Sequence, residues 1–208
     1  KPVREVLKRA GFDDVTVVPS QEHPDGHFPT CPYPNPEIRQ AFEEALKLAE
    51  NKKADLLLAT DPDCDRVGIA VNTGDGYKLM SGNEVGVLLT EYVLSSMKAA
   101  GTLPKNPVIV KSFVTTSLVD RVAESYGCEV RDVLTGFKYI GEIATELEKK
   151  NEGERFILGF EESYGYLSGL HARDKDAVVS SMLICEMASF YKIQGKTLVQ
   201  KMAEIYEK

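Results

Sequence analysis

Three aspartates at every second position, Asp61, Asp63 and Asp65 in the run TDPDCDR (residues 60–66), are the residues best spaced to do chemistry. Three carboxylates this close repel one another, and the repulsion is relieved when a hard divalent cation takes one oxygen from each. Mg²⁺ held by three carboxylates keeps open octahedral positions for water or a phosphate oxygen, an arrangement suited to phosphoryl chemistry. An EF-hand is excluded, because its sixth position requires glycine and is Arg66, and its twelfth requires glutamate and is Asn72. A solvated acidic turn is the plainer reading of the same spacing.

Three further clusters lie downstream. GFEESYGY (159–166) sets Glu161 and Ser163 between glycines, and carboxylates and hydroxyls of this kind bond adjacent sugar hydroxyls. A glutamate-rich surface turn has the same composition. HARDKD (171–176) supplies His171, Arg173 and Lys175 as cations for a phosphate, while Asp176 reads as the cap of the helix that follows. TGFK (135–138) puts Gly136 and Lys138 in a loop able to approach a ligand or to form a simple turn.

The elements that must position these loops alternate between strands and helices. Val3–Ala10 has helical spacing and stops at Gly11; Val15–Val18 reads as a short strand. Five prolines between Ser20 and Pro36 impose an extended loop. Asn35 followed by Pro36 then predicts a helix through Ala49. Ala54–Ala59 and Val67–Val71 read as apolar strands on either side of the acidic loop, closed by a turn at 73–76 and a helix over 84–99. GTLPKNP (101–107) has linker composition. Beyond it come strands at 108–110, 129–133 and 155–159, with helices at 117–126, 139–150, 177–191 and 197–207. The expected fold is two consecutive three-layer α/β domains with mixed, mainly parallel sheets, residues 1–103 carrying the metal loop and 104–208 the sugar loop.

The chain is 208 residues long, with 43% hydrophobic and 27% charged residues, ordinary for a globular protein. Its 25 Lys and Arg against 32 Asp and Glu leave a net charge of −7, which argues against nucleic acid or an anionic membrane as partner. No apolar run approaches the length of a membrane helix, and a cytoplasmic location is expected. The four cysteines are scattered and read as reduced thiols. The absence of an initiating Met suggests a piece of a longer chain.

In their order, TDPDCDR, TGFKYIG, FEESYGYLSG and HARDKDA resemble the α-D-phosphohexomutase superfamily, specifically its phosphoglucomutase and phosphomannomutase branch. The likeness extends over essentially the whole chain and includes PDGHFPTCPYPNPE, similar to that family's proline-rich segment. It implies domains 2 and 3 of a four-domain enzyme. It further implies Asp61, Asp63 and Asp65 as Mg²⁺ ligands and Arg66 beside the phosphate. Glu161 and Ser163 would meet the sugar, Lys175 with His171 and Arg173 would lie beside the ligand, and Lys138 would supply charge or a proton.

The family's phosphoserine motif, Ser-His-Asn-Pro-like, and its fourth-domain phosphate clamp have no counterpart in these residues, so the chain alone is expected to be inactive and to need flanking domains as partners. The implied parent is an intramolecular phosphotransferase that interconverts glucose 1-phosphate and glucose 6-phosphate through a hexose 1,6-bisphosphate. The Glu-Glu-Ser form of the sugar loop is that of the glucose- and pentose-preferring branches, which favours a phosphoglucomutase over a strict phosphomannomutase and keeps a phosphopentomutase as an alternative. Two readings of other classes stand beside it. One is a haloacid-dehalogenase-like phosphatase with Asp61 as nucleophile and Asp63 as acid/base; the other is a non-catalytic module binding metal or sugar phosphate.

Overall fold

A computed structural model describes residues 1–207 as two small sheets flanked by seven helices. The first sheet contains β1 (Leu56–Thr60), β2 (Val67–Asn72) and β3 (Tyr77–Met80) in that order. Every pair is antiparallel, with Leu56 opposite Val71 and Ile69 opposite Met80. The expectation of mainly parallel pairing therefore holds elsewhere than here. The loop joining β1 to β2 spans only residues 61–66, and a parallel return needs a crossover of a dozen residues or more.

The second sheet, ordered β5-β4-β6-β7, is mixed and mainly parallel. β4 (Val108–Ser112) pairs in parallel with β5 (Glu129–Val133) and with β6 (Phe156–Phe160), and β7 (Tyr166–Ser168) folds back antiparallel on β6. β4 and β6 are buried along their whole length, as central strands covered on both faces must be. β7 was not foreseen from sequence; three residues with two buried are too few to show alternation.

Helix α1 (Pro2–Arg9) packs on α6 (Ala177–Ile193), while α2 (Glu43–Lys52) lies against β1. α3 (Gly82–Ala99) contacts α4 (Leu118–Glu124), α6 and α7 (Leu198–Tyr206); α5 (Phe137–Lys149) covers β4 and β6. α3 is anchored by a reciprocal cap: the Glu84 amide donates to Ser81 Oγ at 3.2 Å and the Ser81 amide to Glu84 Oε2 at 2.8 Å. Gly86 lets α3 approach β6, since a Cβ there would fall 1.9 Å from the Phe160 ring. One apolar cluster, including Ile69, Leu88, Phe160 and Ile184, runs from the first sheet to the second.

Two expectations near the N-terminus are corrected. Val15–Val18 is not a strand, because no neighbouring strand bonds to it. The helix expected from Pro36 begins only at Glu43. Asn35 Oδ1 does accept the Glu37 amide, at 3.0 Å, but it closes a turn: Ile38 is extended, and a 3₁₀ turn (Arg39–Phe42) intervenes. No helix among the described residues is long and apolar enough to cross a membrane.

Candidate functional site

The acidic loop leaves the C-terminal end of β1 and closes on itself. Asp61 is 4% exposed. Its Oδ1 accepts the amides of Asp65 (3.1 Å) and Arg66 (3.0 Å), and its Oδ2 accepts Arg66 Nε at 2.7 Å. Cys64, at φ +62°, takes the left-handed conformation that the tight turn requires. One carboxylate oxygen from each of Asp61, Asp63 and Asp65 lies within 4.8 Å of the others, so the structure gathers all three.

Local electrostatics divide the roles. Burial pushes the Asp61 carboxyl up, but bonds from the Arg66 amide and guanidinium outweigh it and hold Asp61 below the usual carboxylate range. Asp65 is pushed up by burial and by the Asp61 anion beside it, against the pull of Lys175. Burial pulls the Lys175 ammonium down, yet Asp65 outweighs it and the net shift is upward. The Asp65 Oδ2 to Lys175 Nζ distance is 2.8 Å. Hard oxygen donors able to hold a divalent cation converge here, with Arg66 and Lys175 beside them balancing part of their charge.

The glutamate-serine loop is bolted to the acidic loop. The Val67 amide donates to the Tyr164 carbonyl at 3.1 Å, Arg66 forms an isolated antiparallel bridge with Gly165, and the Ala177 amide donates to the Cys64 carbonyl at 3.1 Å. Glu161 is buried, and its Oε1 accepts the Gly136 amide at 2.7 Å. Ser163 is half-buried in the same loop. Gly165 allows close approach, since a Cβ there would stand 2.5 Å from Lys175 Cδ.

The other candidates separate. Arg173 donates to Thr145 Oγ1 (3.0 Å) and to the carbonyls of Leu170 (2.7 Å) and Ala172 (2.9 Å), and it pairs with Glu148 of α5. His171 is exposed and shares a 2.8 Å bond with Asp176, whose other oxygen caps α6. Lys138 is exposed, its ammonium 4.8 Å from the Tyr139 ring centroid. Its loop reaches the site through Gly136 and through Phe137, whose ring centroid lies 6.0 Å from Lys175 Nζ.

Two contributors escaped the sequence reading. Glu37 places Oε1 3.8 Å from Arg66 Nη1, and its place at the end of the proline-rich loop was the available signal. Glu162 turns away from Glu161 to accept Ser112 Oγ at 2.8 Å and Thr115 Oγ1 at 3.1 Å, tying the loop to β4. No short-range pattern links residues about fifty positions apart.

The family model for phosphoglucomutase/phosphomannomutase α/β/α domain II matches residues 1–74, and that for domain III matches residues 81–208. A phosphoglucomutase of Staphylococcus aureus (strain MRSA252) is 38% identical over 206 residues, which is 99% of this chain and 36% of the relative. The chain thus spans about a third of that relative's length. Among solved structures, a protein described as a putative phosphomannomutase from Thermus thermophilus superposes with a TM-score of 0.70 at 26% identity, over 98% of this chain and 41% of its own. A phosphoglucomutase/phosphomannomutase family protein from Burkholderia thailandensis gives 0.64 at 20% identity, over 89% and 36%, a likeness of fold. The chain belongs to the phosphoglucomutase/phosphomannomutase family and comprises its α/β/α domains II and III.

Proposed function

We propose that this chain is the metal-binding and sugar-binding part of a phosphoglucomutase-type enzyme that interconverts glucose 1-phosphate and glucose 6-phosphate through a phosphoserine on a flanking domain and a hexose 1,6-bisphosphate. The observation that carries the reading is the direct bonding of the acidic loop and the start of β2 to the two downstream loops, through Arg66 to Gly165 and Val67 to Tyr164 on the glutamate-serine side and through Asp65 to Lys175 on the basic-acidic side. Asp61, Asp63 and Asp65 would hold Mg²⁺, which when bound supplies positive charge for the oxygens of a transferring phosphoryl group.

The chain's own residues do the rest. Arg66 and Lys175 add cations that bind a phosphate beside the carboxylates. The Glu161 carboxylate and Ser163 hydroxyl orient sugar hydroxyls, and the Gly136 amide fixes the Glu161 rotamer. The phosphatase alternative is disfavoured because β1 and β2 form an antiparallel hairpin around the acidic loop and the chain matches phosphoglucomutase/phosphomannomutase domains II and III.

An amide NMR titration of the chain with glucose 1,6-bisphosphate, with and without Mg²⁺, tests the reading while inorganic phosphate is followed. Residues 61–66 are expected to shift with metal and 159–175 with bisphosphate, without phosphate release. Release abolished by Asp61→Asn would replace the mutase reading with the phosphatase. A mannose 1,6-bisphosphate arm producing the larger shifts would move the preference to mannose.

A further inference from the structure

The parallel strands β4, β5 and β6 end at one edge of the second sheet, where the loops 113–117, 134–136 and 161–165 follow them. The first loop leads to α4 and the second to α5. α4 shares an apolar cluster with Ile109 on one face of β4, and α5 shares another with Val108 and Val110 on the other face. Neighbouring strands therefore send the chain to opposite faces, and between their carboxyl ends lies the kind of crevice in which open α/β sheets take ligands. The Phe113 amide donates across it to the Val133 carbonyl at 2.9 Å.

The side chains at this crevice are the wrong kind for a solvated turn. The Thr115 amide donates to the Ser112 carbonyl at 2.9 Å, and the two central positions, commonly Gly, Pro, Asn or Asp in such turns, are Phe113 and Val114. Phe113 is 60% exposed, Val114 49%, and Leu134 in the next loop 61%. The turn is braced from below: Ser112 Oγ and Thr115 Oγ1 lie 2.7 Å apart, and Asn83 of α3 holds the Thr116 amide. The two adjacent glutamates of the glutamate-serine loop fasten both parts to it. Glu162 accepts the hydroxyls at the base of the Phe113–Val114 turn, and Glu161 accepts the Gly136 amide two residues from Leu134. An apolar crest and a hydroxyl-binding loop thus form one continuous surface.

We infer that Phe113, Val114 and Leu134 form a wall against which the pyranose ring of the hexose phosphate lies while Glu161 and Ser163 bind its hydroxyls, and that this wall selects glucose. The inference rests on the sugar-site reading of the glutamate-serine loop. Equatorial hydroxyls leave the face of a glucopyranose ring lined by C–H bonds, which apolar side chains cover, while the ring edge takes hydrogen bonds. In an α-1-phosphate the axial phosphate stands on one face, so the face carrying H2 and H4 is left for the wall. Mannose places its axial 2-hydroxyl on that face, where contact with the wall buries it without a partner.

The test compares α-D-glucose 1,6-bisphosphate with its mannose epimer by calorimetry in the presence of Mg²⁺, for the unaltered chain and for Phe113→Ser and Leu134→Ser. Both positions are exposed, so urea midpoints are expected to hold. Each variant is expected to bind the glucose compound roughly fivefold more weakly and the mannose compound with little change, which brings the two affinities together. In the unaltered chain, nuclear Overhauser contacts are expected between the Phe113 ring and H2 or H4 of the bound glucose compound, and these give the answer should a variant fold poorly. Amide shifts at 159–165 with no ring contact, and with affinity unchanged in both variants, overturn the wall and leave the sugar-site reading standing. A glucose compound that shifts neither 159–165 nor 113, 114 and 134 takes down both. Equal losses for the two sugars overturn the selection of glucose. Self-association that Phe113→Ser abolishes, with sugar affinity untouched, puts a second copy on the crest in place of the ring.

Discussion

The acidic loop at 61–66 and the basic-acidic loop at 171–176 each carry four Asp, Arg or Lys residues, yet one concentrates its charges and the other disperses them. In the first, β1 delivers Asp61 into a turn whose own amides and guanidinium grip it, so three carboxylates gather at one point. In the second, Arg173 turns back to α5, His171 pairs with the α6 cap, and only Lys175 reaches the carboxylates. Charge density does not gather side chains; a tight turn at the end of a strand does, because it fixes where each side chain points.

The largest break in this comparison comes from backbone approach. A Cβ at residue 82 would lie 2.0 Å from the Glu162 carbonyl oxygen, so Gly82→Ala is expected to push the glutamate-serine loop off the acidic loop and cost about 3 kcal/mol in urea unfolding. Next is Asp61→Asn, which removes the anion opposite the Arg66 guanidinium and leaves one acceptor oxygen for three donors, and is expected to cost about 2 kcal/mol. Asp63→Asn, at an exposed position, is expected to leave stability unchanged. Calorimetry with Mg²⁺ should show both variants weakened in binding, so stability and ligation come apart within one loop.

Two neighbours in the second loop sharpen the contrast. Arg173→Ala is expected to cost about 1 kcal/mol of stability and to leave bisphosphate affinity unchanged, since its guanidinium is committed to α5 and to two carbonyls. Lys175→Ala should do the reverse, with a bisphosphate affinity lowered by roughly tenfold. Equal losses of affinity in the two variants would mean that the dispersal is not functional.

The fold class, the acidic loop and the order of the four clusters were legible because each is a short-range pattern: apolar runs, turn chemistry, carboxylates in alternation. What escaped depends on contacts distant in sequence. Nothing near Glu162 announces that Ser112 and Thr115 hold it, and nothing near Gly86 announces that Phe160 lies against it. Val15–Val18 failed in a different way. Its local preference is for a strand, and in these residues the partner that would make it one is lacking.

The smallest effect concerns the helix on which the glutamate-serine loop rests. α3 presents Gly82 beneath the Glu162 carbonyl, and Asn83 Oδ1 accepts the Thr116 amide at 3.0 Å, so its first turn carries the site. Burial raises the Glu84 carboxyl, but bonds from Ser81 and the Lys78 ammonium outweigh it, and the folded pKa lies below the ordinary 4.5. A carboxyl depressed on folding contributes stability that is complete above its unfolded pKa and is lost as pH falls through the folded one. Glu84→Gln keeps the cap's hydrogen-bond pattern and removes its charge, so it is expected to cost about 0.5 kcal/mol at pH 7. Urea midpoints of the two proteins should converge as pH drops below 4.5. A gap that persists undiminished into acid would mean that Gln fails to reproduce the cap itself, and that hydrogen-bond geometry rather than charge holds the first turn of α3 under the glutamate-serine loop.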